Sequence, residues 1–300
     1  INSRSYIDYE SPYHPVVGNY GMVVSQNYLS SDIGIEILNK GGNAIDAAVA
    51  VGFSLAVTLP RAGNLGGGGF MLVYLKEKDE IFYIDYRSKS PLNSNLENIF
   101  NIYSSDGKKY EVVPKNFDTN IFDVLDSGYK ASAVPGTVAG LLDAHAYFGK
   151  LELSEVLAPV IAQATNGIVV SYDLHKAIES TPRLYDDLES RRLYFKNDTA
   201  IEENSILKLP DLANTLSLIS KNGKDGFYKG ETAKKIIEAM NNNGGLMKLV
   251  DFDQYTAKIR SPISTEYRGN KVFTAGPPSG GGITLLTALN ILSFFELEKY

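Results

Sequence analysis

The chain contains no cysteine and no tryptophan, and only three of its 300 residues are histidine. Without thiols there is no cysteine nucleophile, no disulfide framework and no thiolate-ligated metal, and the redox compartment stays open because such a chain tolerates either setting. His14, His145 and His175 lie far apart in the sequence without metal-ligand spacing, and no Gly-x-Ser-x-Gly elbow, His-Glu-x-x-His helix or EF-hand loop is present. Cationic excess is missing too. The 29 Lys and Arg are outnumbered by 35 acids, for a net charge of −6, which argues against a nucleic-acid partner or an anionic membrane surface. Long apolar runs are absent: the most apolar segment, 47–60, is too short for a bilayer-spanning helix, and no targeting segment stands at the N-terminus. No repeat or Pro/Gly/Ser-rich linker divides the chain, so residues 1–300 read as a single domain whose 44% hydrophobic content suffices for a sizeable core.

What is present is a patterned N-terminal third. Ser30 to Leu38 combines a hydroxyl cap, an acid in the first turn and apolar spacing, and stops at Gly41-Gly42, which predicts a first helix. Asn43 caps a second, "AIDAAVAVGFSLAV", whose small residues suit close packing on several sides. Phe70–Leu75 and Ile81–Arg87 flank the charged turn 76–80 and predict a hairpin with both strands covered on both faces. A further helix is expected from near Gly136, carrying Asp143 and His145. The acidic run 185–189, followed by Arg191-Arg192, reads as a solvated, salt-bridged helix face.

Between helix and hairpin stands "NLGGGGF", residues 64–70. A phosphate cradle requires a strand leading through glycines into a helix, so that helix amides point at the anion. Here a helix enters the glycines and a strand leaves them, and no Lys-Ser or Lys-Thr follows. The pattern predicts a tight corner where backbones pass closely or adopt positive φ. In the hairpin, Tyr83, Asp85 and Arg87 share one face. An always-charged planar donor at the end of an apolar strand needs a partner. It is either the ion-pair partner of Asp85 or another local acid, or a bidentate fork for a substrate carboxylate.

The segments Gly41-Gly-Asn-Ala-Ile-Asp-Ala-Ala-Val-Ala50 and Ala62-Gly-Asn-Leu-Gly-Gly-Gly-Gly-Phe70 resemble the gamma-glutamyltranspeptidase family. Further matches follow in family order: Tyr86-Arg87 with Ser90-Pro91, Val134-Pro-Gly-Thr-Val-Ala-Gly140, Gly226-Phe-Tyr-Lys-Gly230, Tyr267-Arg-Gly269 and Pro277-Pro-Ser-Gly-Gly-Gly282. The resemblance implies an α/β fold, the N-terminal-nucleophile hydrolase αββα four-layer sandwich, completed by a small-subunit chain cut from the same precursor. It implies hydrolysis of glutathione and related gamma-glutamyl compounds, or transfer of the acyl group to an amino acid, with that amino acid or water as acceptor. The implied chemistry runs through an ester on the small subunit's N-terminal threonine and uses no metal and no organic cofactor. The implied location is periplasmic or secreted. Of the family's substrate contacts, the grip on the alpha-carboxylate maps to Arg87; no catalytic residue is assigned in this chain, because nucleophile, oxyanion hole and amine-binding groups belong to the small subunit.

The chain opens on Ile1 and closes at Tyr300, short of the expected cleavage point, and so reads as most of a large subunit. Two departures from the family pattern occur. Gly280 stands where a second serine is common, and Thr58-Leu-Pro60 lacks the histidine that often precedes this proline; both read as packing variation. The resemblance leaves open a cephalosporin-type acylase or a depolymerase of poly-gamma-glutamate. Outside that superfamily, the same residues allow a non-catalytic α/β binding protein with Arg87 in a structural ion pair.

Overall fold

The structure is a computed structural model that describes residues 16–95 and 128–299; His14 lies outside the described residues. Helix α1 (Tyr28–Asn39) and helix α2 (Ala44–Thr58) form an antiparallel pair joined by Gly41, whose φ of 88° is the left-handed turn that glycine takes cheaply. The cap of α1 differs from the sequence expectation. Asn27, not Ser30, caps it, its side chain accepting from the Leu29 amide at 3.0 Å, and no acid lies in the first turn. Ser30 is instead fully buried and bonds to Ser54 and Thr58 of α2, each at 2.8 Å. The hydroxyl therefore pins two helices together rather than starting one.

Asn43 caps α2 as the sequence predicts. It accepts from the amides of Ile45 (2.9 Å) and Asp46 (3.0 Å), while the Asp46 carboxylate accepts from the Asn43 amide at 2.9 Å, a reciprocal capping box. Asp46, fully buried, also accepts from the amides of Lys150 and Leu151.

Strands β1 (Gly69–Leu75) and β2 (Glu80–Tyr86) form the expected hairpin in a register that sets Phe70 opposite Asp85 and Leu72 opposite Tyr83. Arg87 lies one residue beyond β2. One face of the hairpin, with Val73 and Ile84, packs on helix α3 (Thr137–Phe148), which in turn packs on α2, and both of these side chains are buried. Cover on both faces, as predicted, is only partly supplied: on the opposite face Tyr83 and Asp85 are buried, while Leu72 is 43% and Tyr74 56% exposed. Beyond α3, helix α4 (Leu153–Asn166) packs on α2 and on helix α5 (Pro210–Asn222), extending the helical layer. Strand β3 (Lys258–Arg260) joins the free side of β2, and a separate hairpin, β4 (Ile263–Tyr267) with β5 (Asn270–Thr274), leads into helix α6 (Gly280–Leu292). Large apolar side chains of α6, Ile283, Leu285 and Ile291 among them, are exposed. Among the described residues no helix is long and apolar enough to cross a membrane.

Candidate active site

The glycine run is a corner, not a cradle. Gly67 offers its carbonyl to the amides of Gly136 (2.7 Å) and Thr137 (3.1 Å), so the first two amides at the start of α3 are already occupied by backbone. None of Gly66 to Gly69 has positive φ; close approach explains Gly68 and Gly69. A Cβ at Gly68 would press on the Ser88 amide nitrogen and stand 2.7 Å from the Tyr86 carbonyl oxygen, while Gly136 and Gly140 leave no room for a Cβ beside Tyr86. At Gly67 the nearest atom would be the Asn64 Oδ1, at 3.1 Å, a far milder contact. The corner thus draws β1, the end of β2 and the start of α3 to one point.

That point fixes Arg87 through its backbone. Its amide donates to Asp85 Oδ1 (3.1 Å), and its carbonyl accepts from the Tyr255 hydroxyl (3.0 Å). Tyr255 is itself held by parallel stacking on Tyr228, ring centroids 5.8 Å apart, and Tyr228 reaches the Pro135 carbonyl at 2.8 Å and the Ala139 amide at 3.2 Å. Burial pushes both phenols well above the usual tyrosine range, so both hydroxyls stay protonated donors across neutral and moderately alkaline pH. On the strand exit just beyond, buried Asp251 accepts from the Leu92 and Lys248 amides, each at 2.7 Å.

Of the two readings left open for Arg87, the ion pair with Asp85 is not the one that forms. Asp85, 7% exposed, takes its cation from Arg260, whose Nε sits 2.8 Å from Oδ2. The Arg87 guanidinium is solvent-exposed and has no acid partner among the described residues. It lines a cleft of about 210 Å³ together with Asp85, Lys89, Lys258, Arg260 and Pro278. Lys89 is braced there, its Nζ donating to the Thr256 carbonyl (3.3 Å) and standing 4.9 Å from the centre of the Tyr255 ring.

The sequence reading singled out Arg87 and missed Arg260, Lys258 and Lys89. A signal was available in Lys258-Ile-Arg260, whose charges alternate with period two and thus share one strand face. His145 and His175 are held by main-chain carbonyls, of Leu151 (2.9 Å) and Ile201 (2.8 Å), away from this cleft. The 185–189 run falls on two short helical turns broken at Asp187, with Arg192 bridging Glu189 (2.8 Å) and Asp211 (2.9 Å). Among the described residues no group of three or more His, Asp or Glu side chains could hold a metal ion.

A close-packed helix pair, a glycine corner feeding a hairpin, and an exposed arginine at the hairpin's end make a mixed helix-and-sheet chain, and its structural neighbours place that chain in the N-terminal-nucleophile hydrolase fold. Residues 30–300 match the family described as gamma-glutamyltranspeptidase, and the chain belongs to that family. It is 37% identical over 293 residues to the glutathione hydrolase proenzyme of Escherichia coli strain K12, covering 97% of this chain and 48% of that protein. In three dimensions it is similar to the gamma-glutamyltranspeptidase of Helicobacter pylori, with a TM-score of 0.84 at 36% identity over 94% of this chain and 78% of that one. A more distant likeness is to a cephalosporin acylase from Bacillus halodurans: TM-score 0.78, 26% identity, 98% of this chain and 53% of that one. The chain spans about half the length of the curated relatives it matches.

Proposed function

We propose that these 300 residues form one incomplete domain, the large-subunit portion of a gamma-glutamyltransferase that hydrolyses glutathione and other gamma-glutamyl compounds or passes the acyl group to amino acids. In this reading a second segment of the same precursor becomes a small subunit, whose N-terminal threonine hydroxyl attacks the gamma-carbonyl and expels the amine. Water or an acceptor amine then attacks the resulting ester and regenerates the hydroxyl. A periplasmic or secreted location belongs to the same reading and has the family resemblance as its support. The role of this chain is to hold the alpha-carboxylate of the gamma-glutamyl group on the Arg87 guanidinium, which offers two parallel donors.

One observation carries the assignment: Asp85 is already paired with Arg260, so Arg87 ends a buried strand with its fork free of acid partners among the described residues. The test is Arg87→Gln in the full precursor. Losing one partner of a desolvated charge pair costs about 2–5 kcal/mol, or roughly 30-fold to several thousand-fold in kcat/KM for a gamma-glutamyl anilide. Self-cleavage involves no free glutamate carboxylate, so the two mature bands on a denaturing gel should persist. Near wild-type kcat/KM in the matured Arg87→Gln protein would refute the assignment.

A further inference from the structure

The cleft holds more positive charge than one carboxylate calls for. Four cationic side chains, Arg87, Lys89, Lys258 and Arg260, line it beside a single carboxylate, Asp85, and Arg260 already takes that carboxylate. Lys89 is spent on the Thr256 carbonyl and the Tyr255 ring. Lys258 is spent on nothing among the described residues. It stands directly opposite Asp85 in the β2–β3 register, on the same sheet face as Arg87 and Arg260, and is exposed. Arg87, one residue beyond β2 and two from Asp85, lines the same cleft as Lys258. A guanidinium fork and a separate point charge in one cleft match two anionic groups rather than one.

We infer that Lys258 forms a second anion subsite beside Arg87, so that gamma-glutamyl donors with a second carboxylate close to the first are selected over donors with one. The inference rests on the reading of Arg87 given above, and the charges alone set the chemical class: a dicarboxylate, with Arg87 on the alpha-carboxylate and Lys258 on its neighbour. A lysine on an edge strand also blocks unwanted pairing of strands, and that role would leave donor choice untouched.

The experiment uses the complete matured protein and gamma-linked glutamate peptides in which the alpha-carboxylate of the residue next to the donor unit, on either side, is free or amidated. The readout is the ratio of kcat/KM for each acid to that for its amide. An exposed charge pair supports a preference of about 5-fold at low ionic strength, shrinking toward 1 as salt is raised. Lys258→Met should bring the ratio to about 1, and Lys258→Arg should keep it. A wild-type ratio near 1, or a preference that survives Lys258→Met, overturns the subsite. Arg87→Gln separates the two readings. Loss of both donors alike, alongside a flat wild-type ratio, removes the subsite and leaves the alpha-carboxylate grip standing, whereas retained activity removes the grip itself.

Discussion

The two faces of the three-stranded sheet are built from similar side chains, yet one is covered along its length and the other only at Tyr83 and Asp85. On the helical side Val73 and Ile84 are buried where the strands pack on α3, and glycines at 136 and 140 let that helix settle on Tyr86. On the other side Phe70 and Tyr83 touch, ring centroids 5.8 Å apart, and the Tyr83 hydroxyl reaches the Gly276 carbonyl at 3.2 Å, yet Leu72 and Tyr74 beside them stay open. The charged cleft lies at the end of this open face. The first face is what holds the chain together; the second is where chemistry and a further layer have room to arrive. Substitutions should sort accordingly.

The largest effect is expected at the corner that serves the helical face. Gly68→Val would drive a β-branched side chain into the Ser88 and Tyr86 backbone, which cannot yield as a flexible side chain does, and should cost more than about 3 kcal/mol. Gly67→Ala, meeting only the Asn64 side chain at 3.1 Å, should cost under about 1 kcal/mol. Chemical denaturation of the two variants checks the contrast, and equal losses would mean that backbone approach is not the reason for the glycines.

Next comes Arg260→Gln, which leaves the Asp85 carboxylate buried without its cation. About 1–3 kcal/mol of stability should go, at the low end because Arg260 is itself partly exposed. Arg87→Gln removes no such pair and should leave the melting temperature within about 2 °C of wild type. A melting temperature that falls equally for both would erase the distinction between a spent and an available arginine.

A smaller effect tests the tyrosine brace. Tyr228 and Tyr255 have folded pKa values raised by burial above the usual value of about 10. Above that pH the unfolded chain has released protons that the folded chain still holds, so stability is fully present below pH 10 and declines as pH rises further. Tyr255→Phe should cost about 1 kcal/mol at neutral pH through the lost bond to the Arg87 carbonyl and should flatten the alkaline decline measured by urea titration. The smallest effect belongs to the open face. Leu72→Ser should change the stability of this chain by less than about 0.5 kcal/mol, while the buried Val73→Ala should cost about 1–3 kcal/mol.

Much of this frame was legible in the sequence because it is local. Asn43 and Asp46 stand three residues apart and announce their capping box, and two apolar runs around a charged turn announce a hairpin. Ser30 misled because its partners, Ser54 and Thr58, lie a helix away and nothing in the intervening residues declares them. The Asp85–Arg260 pair spans 175 positions and decides what Arg87 is free to do, so local reading could do no better than leave two fates open. The doubly covered hairpin is met only in part, for another reason. Apolar residues at 72 and 74 record that cover is required, not that this stretch of chain provides it.

The short bridge between Lys89 and Val134, with amide-to-carbonyl distances of 3.1 and 2.8 Å in the two directions, brings the chain back to the place it left. The bridge stands two positions from Arg87 on one side and three residues before α3 on the other. It therefore ties the backbone leaving the arginine to the start of that helix, and the station of the side chain is set by main chain on both sides while its exposed surroundings are free to change.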